Sequence, residues 1–136
     1  MTKTIVQKIT FKNTTTDELY KLYMDEQKHS EVTGSKANIK QKEGTNFVLY
    51  DGYIIGRNLQ LINNSLIVQS WRASDWDDSD IDSTFIIYFI QHDEDVVINV
   101  VHANLPIQHA ESISKGWHEF YWKPWKLYLK NASMYK

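Results

Sequence analysis

Hydrophobic and polar positions alternate at the start of this chain. Between Lys3 and Lys12, Ile5, Gln7, Ile9 and Phe11 share one parity and Val6, Lys8, Thr10 and Lys12 the other. That two-residue period predicts a strand with one wet face. Asn13 breaks it. Thr15-x-x-Glu18 then forms a capping box, and Leu19, Leu22 and Tyr23 follow at helical spacing, which predicts a short helix from Thr16 to Met24. Asp25–Val32 is polar and reads as a second turn or short helix, ended by Thr33-Gly34.

From Ala37 the pattern is β. Ala37–Lys42 and Thr45–Tyr50 flank the turn signal Glu43-Gly44, and Asp51-Gly52 is the strongest hairpin dipeptide in the chain. Tyr53–Ile62, Leu66–Arg72, Thr84–Gln91 and Val96–Ala103 are the following strands, with a polar loop at Ala73–Ser83. Short consecutive connections predict an antiparallel meander. The longest helical pattern is Pro106–Lys130, whose apolar stripe centres on Trp117 and takes in Ala110, Ile113, Phe120, Tyr121, Pro124 and Tyr128, with Ile107, Trp125 and Leu127 at its edge. At about 36 Å it matches the reach of a ten-residue strand. Pro124 lies inside the pattern and predicts a bend at Lys123–Pro124. Trp122 and Leu129 fall off the stripe, either as surface contacts or turned inward by the bend. The order β-α-α, six strands and a final helix gives an α+β fold: a curved seven-stranded antiparallel sheet wrapped on a long C-terminal helix.

Length and composition narrow the classes. A chain of 136 residues predicts one domain, residues 1–136, with a real core. The formal charge of −2 and the lack of a Lys/Arg run give no nucleic-acid footprint. Without cysteines there is no disulfide, thiol nucleophile or thiolate metal site. No signal-peptide core or membrane-length apolar run is present, and a cytoplasmic location is expected. Five Trp, eight Tyr and five Phe fit either an aromatic-rich core or an aromatic-lined cavity.

Several blocks resemble a known family: HSEVTG (His29–Gly34), FVLYDGYIIG (Phe47–Gly56), LIVQSWR (Leu66–Arg72), SDWDDSD (Ser74–Asp80) and the helix Pro106–Leu129. Together they resemble the family named for the C-terminal domain of the activator of Hsp90 ATPase, within the START-like (Bet v 1-like, SRPBCC) superfamily. The resemblance implies a helix-grip fold over residues 5–130. It departs at Val32, where the family usually has Trp, and at Glu43-Gly44, where it has Gly-Gly. The co-chaperones that name the family carry an additional N-terminal domain, and 136 residues are expected to hold only the one domain.

In a helix-grip fold the sheet and the helix enclose a pocket. Alternation turns Phe47, Leu49 and Tyr53 inward, with Ile55 and Leu59 on the same parity, and then Gln69, Trp71, Phe85, Ile87 and His102. Ile113, Trp117, Phe120 and Tyr121 come from the helix. An apolar, π-rich lining with few polar groups suits a hydrophobic, lipid-like or aromatic small molecule. Either the pocket is open or the side chains fill it; if open, a larger side chain at Gly56 would block it. His102 stands on an apolar strand, as a satisfied core histidine or as a base with Gln69 or Tyr121 nearby. No carboxylate is evident to orient it, so no catalytic residue is assigned.

Metal chemistry finds no support, and no cofactor is expected. Asp78, Asp80 and Asp82 mimic the first EF-hand ligands, but Ser83 and Phe89 stand where Gly and Glu are required. His109 and His118 lie nine residues apart on the helix, away from zinc-binding spacing. Trp76 and Trp122 remain as surface aromatics for a partner, with Trp76 alternatively closing the cavity mouth. The leading expectation is a non-catalytic binding domain for a hydrophobic or aromatic small molecule. A chaperone-linked interaction module is the alternative. An enzyme acting on a polyketide-like or lipid-like substrate comes third.

Overall fold

The computed structural model describes residues 1–134. The opening strand β1 (Thr2–Phe11) buries Ile5, Ile9 and Phe11, with Gln7 among them, as its alternation requires. Helix α1 (Thr16–Met24) starts at the capping box: Thr15 accepts a hydrogen bond from the Glu18 amide. Asp25 caps the next helix, α2 (Glu26–Thr33), by accepting from the Lys28 amide, and Gly34 closes it in the left-handed conformation.

Strands β2 (Ala37–Asn38), β3 (Asn46–Leu49), β4 (Ile54–Ile62), β5 (Leu66–Ala73), β6 (Ser83–His92) and β7 (Asp95–Pro106) follow. They form one seven-stranded antiparallel sheet in the order β1-β7-β6-β5-β4-β3-β2. The meander therefore runs from β2 to β7, and β1 closes onto the last strand. The fold is α+β helix-grip. Across its inner face, one row runs Ile5–His102–Phe85–Gln69–Asn58, residue opposite residue. Polar side chains are thus built into the middle of the apolar face.

Two corrections to the sequence expectation concern turns. Asp51-Gly52 is not a tight two-residue hairpin. A 3-10 turn, Tyr50–Gly52, joins β3 to β4, and Tyr50, Asp51 and Gly52 all have positive φ (52°, 54° and 92°). The longer turn moves Leu49 opposite Ile54, so β4 turns Ile54 and Asn58 inward while Tyr53, Ile55 and Leu59 are exposed. Gly56 is also on the inner parity. A Cβ there would stand 2.0 Å from the Ser70 carbonyl oxygen and 2.4 Å from the Phe47 ring, so no void exists for a larger side chain to fill.

The other correction lies in the terminal helix. Helix α3 (Ile107–Trp117) passes through a π turn (His118–Trp122) into α4 (Lys123–Met134). The Lys123 amide donates to the His118 carbonyl, five residues back. Pro124 cannot donate and its ring crowds the carbonyl four residues before it. The wider turn just upstream accommodates it, so the distortion precedes the Lys123–Pro124 position. One extra residue in the turn sets back everything beyond it by about 100° on the wheel. Trp122 and Trp125 therefore face the core, almost completely buried, and Phe120 is 58% exposed. Trp76, at 6% exposure, is also inside, packed on Trp71 and His109. Neither Trp76 nor Trp122 is a surface anchor.

Candidate functional site

The space under the terminal helix divides into a closed part and an open part. In the closed part, Trp117 stacks on Phe85 at 4.3 Å and 10°. Its indole N–H donates to Nδ1 of His102 at 3.1 Å. Because Nδ1 accepts, the proton of the neutral ring is on Nε2, which donates to Ser83 Oγ at 2.8 Å. Ser83 Oγ in turn donates to the Trp71 carbonyl at 2.6 Å. Burial pushes His102 down to about 3, and protonating Nδ1 would set donor against donor. His102 is a satisfied core histidine with both nitrogens engaged.

Two similar chains lock the helix elsewhere. Burial pushes His29 down to about 4; its Nδ1–H donates to the Tyr23 carbonyl at 2.7 Å and its Nε2 accepts from the Tyr121 hydroxyl at 2.9 Å. Gln7 accepts from the Trp122 indole at 2.7 Å and donates to the Ser114 carbonyl at 2.9 Å. A further chain runs inside the sheet: Tyr23 hydroxyl to Gln69 to Asn58 to the Lys40 carbonyl, each link 2.8 or 2.9 Å. Buried polar groups that are all paired hold a core in one arrangement.

The open part is a cleft of about 270 Å³ between the Tyr50–Gly52 turn and the helix around the α3–π junction. Tyr50, Tyr53, Ile54 and Trp71 form the sheet side, and Ser112, Ile113, Gly116, Trp117, Phe120 and Tyr121 the helix side. Of the residues expected to line a cavity, Tyr53, Trp71, Ile113, Trp117, Phe120 and Tyr121 meet here. Phe47, Leu49, Gln69, Phe85, Ile87 and His102 do not; they are closed into the core. Phe120 reaches the cleft from the exposed side, its ring 6.0 Å edge-on from Tyr50. Tyr53 stands at the rim, its hydroxyl donating to Asp75 at 3.1 Å.

Tyr50, Ile54, Ser112 and Gly116 were missed in the sequence. Nothing in the pattern distinguishes the Tyr50 turn from a tight hairpin. Gly116 did carry a signal, since a glycine in a helical run costs stability and needs a reason. A Cβ there would meet only Phe120 Cδ2, at 3.7 Å.

The acidic loop is organised by a cation of the protein itself. Arg72 donates to the carbonyls of Asp77 and Asp80, at 2.5 and 2.6 Å, and pairs with Asp82 at 3.3 Å. Among the described residues no group of three His, Asp or Glu side chains is placed to hold a metal ion. No helix among them is long and apolar enough to cross a membrane.

A family model for "Activator of Hsp90 ATPase homolog 1-like protein" matches residues 13–130. The activator of 90 kDa heat shock protein ATPase homolog of Dictyostelium discoideum is 29% identical over 116 residues, covering 85% of this chain and 30% of that protein. The human activator of 90 kDa heat shock protein ATPase homolog 1 is 24% identical over 119 residues, covering 85% and 35%. The chain thus spans about a third of the length of these curated relatives. The crystal structure of an HSP90 activator from Plasmodium falciparum superposes with a TM-score of 0.85 at 21% identity, covering 93% of this chain and 96% of that one. At that identity the likeness is one of fold.

Proposed function

Because the chain belongs to the Activator of Hsp90 ATPase homolog 1-like family, we propose that it is a chaperone-linked interaction domain that engages an Hsp90-type ATPase. The observation that carries this reading is the extent of the likeness, which runs from residue 13 to residue 130 and reaches every element after β1. A surface spread over many elements is conserved in shape when the whole domain is, whereas a single motif would carry only local chemistry. The chain corresponds to about a third of the curated activators. Docking to such a chaperone is the activity proposed for this domain. Calorimetric titration into a purified Hsp90-type chaperone, with and without nucleotide, tests this. Saturable binding in the micromolar range is expected, and no heat at 100-fold higher concentration rejects the reading.

The cleft favours a second reading: a binding site for a small hydrophobic or aromatic molecule, without catalysis. Its support is the π-rich lining and a volume just under the roughly 300–1,000 Å³ of clefts that take drug-sized ligands. An enzymatic reading depended on His102, which has no open side and is absent from the cleft walls.

A further inference from the structure

The polar groups on the cleft walls differ in what they have left to offer. The Ser112 hydroxyl donates to the His109 carbonyl, the Tyr53 hydroxyl to Asp75, the Trp117 indole to His102 and the Tyr121 hydroxyl to His29. Two wall groups have no partner: the Tyr50 hydroxyl and the Trp71 indole N–H, both shut off from water. The hydroxyls of Tyr121 and Thr33 stand close to that of Tyr50 without meeting hydrogen-bond geometry. Burial raises the Tyr50 hydroxyl above its ordinary value, so it stays protonated and able to donate. Unpaired buried donors are uncommon in native interiors; of the four such side-chain atoms among the described residues, two border this cleft, and the Trp76 and Trp125 indoles lie away from its walls.

Tyr50 is unusual in a second respect. It has φ of 52° and is followed by two more positive-φ residues. An aromatic residue in the left-handed region is a backbone outlier, and such strain persists where the surroundings hold it. Here it holds the phenol against the helix, edge-on to Phe120 and Tyr121.

Resting on the small-molecule reading of the cleft, we infer that its ligand is a neutral, planar aromatic carbonyl compound whose oxygen accepts from the Tyr50 hydroxyl, with the Trp71 indole as a second donor. The unused wall groups are donors, so the complementary ligand presents acceptors. The lining contains no Lys, Arg or His, while Asp75 sits at the rim, so a carboxylate would lack a cation and meet a like charge. Flat rings match the aromatic walls by stacking and edge contacts. Since both donors are covered in the empty cleft, the Tyr50 turn has to shift as the ligand enters.

Paired probes test this. α-Tetralone and tetralin share a skeleton and differ in the carbonyl; each is titrated into the wild type and Tyr50→Phe, followed by the amide signals of Tyr50–Gly52 and the Trp71 indole signal. The wild type should bind α-tetralone about tenfold more tightly than tetralin, since a site built to donate discriminates against a ligand that cannot accept. Tyr50→Phe should erase that preference and leave tetralin unchanged. Equal binding of both probes by the wild type, or a preference that survives Tyr50→Phe, overturns the inference and leaves the small-molecule reading standing. Absence of binding by either probe overturns both.

Discussion

Trp117 stands between two regions built differently. On one side its ring lies flat on Phe85 and its N–H meets His102. There the helix is bound to the sheet through His102 and Gln7 and to the short helices α1 and α2 through His29, each with its polar atoms paired. On the other side it borders a cleft with a strained turn, two unpaired donors and a glycine in mid-helix. Each of the latter lowers stability. The strain, the glycine and two of the four unpaired buried side-chain atoms among the described residues gather around one void, while the Trp76 and Trp125 indoles leave two more in the packed core, so relaxed packing is concentrated at the cleft rather than confined to it.

The largest expected effect would come from disturbing the closed region. Gly56 lies in a row with Phe47 and Trp71, and the Phe47 ring occupies the place of its side chain. Gly56→Ala forces a methyl within 2.0 Å of a carbonyl oxygen that belongs to the sheet itself. A loss of about 3 kcal/mol or more is expected, or failure to fold. Urea denaturation followed by circular dichroism measures it. A change under about 1 kcal/mol would mean that the closed region yields as easily as the cleft.

Acid should separate the two regions next. His29 and His102 are held neutral by burial, at about 4 and about 3, against about 6.5 in the unfolded chain. The unfolded state therefore binds more protons below about 6.5, and the stabilisation, complete above that value, is lost as pH falls towards the folded values. From about pH 7 to about pH 5 the two together should cost roughly 4 kcal/mol. His29→Gln and His102→Gln should each remove about half of that slope, whatever they do to stability at neutral pH. An unchanged slope in both variants would show that neither imidazole is confined as the geometry implies.

The closed region was the more legible in the sequence. Alternation placed Gln69, Phe85, Ile87 and His102 on the inner face and Gln7 on the parity of Ile5, Ile9 and Phe11, and the Thr15–Glu18 box placed α1. Both signals are local: a residue's parity or cap depends on its neighbours in the chain. The open region was obscured by two events with long reach. Three left-handed residues after Leu49 lengthened a turn that reads as a tight hairpin and inverted the parity of β4. One extra residue at His118–Trp122 rotated the last turns of the helix. It brought Trp122 inside, moved Trp125 from the stripe's edge to full burial and left Phe120 out. In each case a one-residue irregularity changed which face every later residue presents, and a periodic wheel or alternation assumes there is none.

The smallest effect bears most directly on the comparison. Gly116 sits in α3 with ordinary backbone geometry, and a Cβ there would make one normal contact, with Phe120 Cδ2 at 3.7 Å. Nothing steric demands glycine. Gly116→Ala should therefore stabilise the fold by about 0.5–1 kcal/mol, by restricting the unfolded chain and favouring the helix, read as a rise in the urea midpoint. The same methyl projects at the cleft wall, so tetralin should bind it more weakly than the wild type. A gain in stability accompanied by a loss of probe binding would mean that the glycine preserves space. A stability gain with binding unaltered would leave the cleft without that support. A loss of stability would show that the helix around the π turn has no slack, and the distinction between a packed side and a relaxed side would fail at its most economical test.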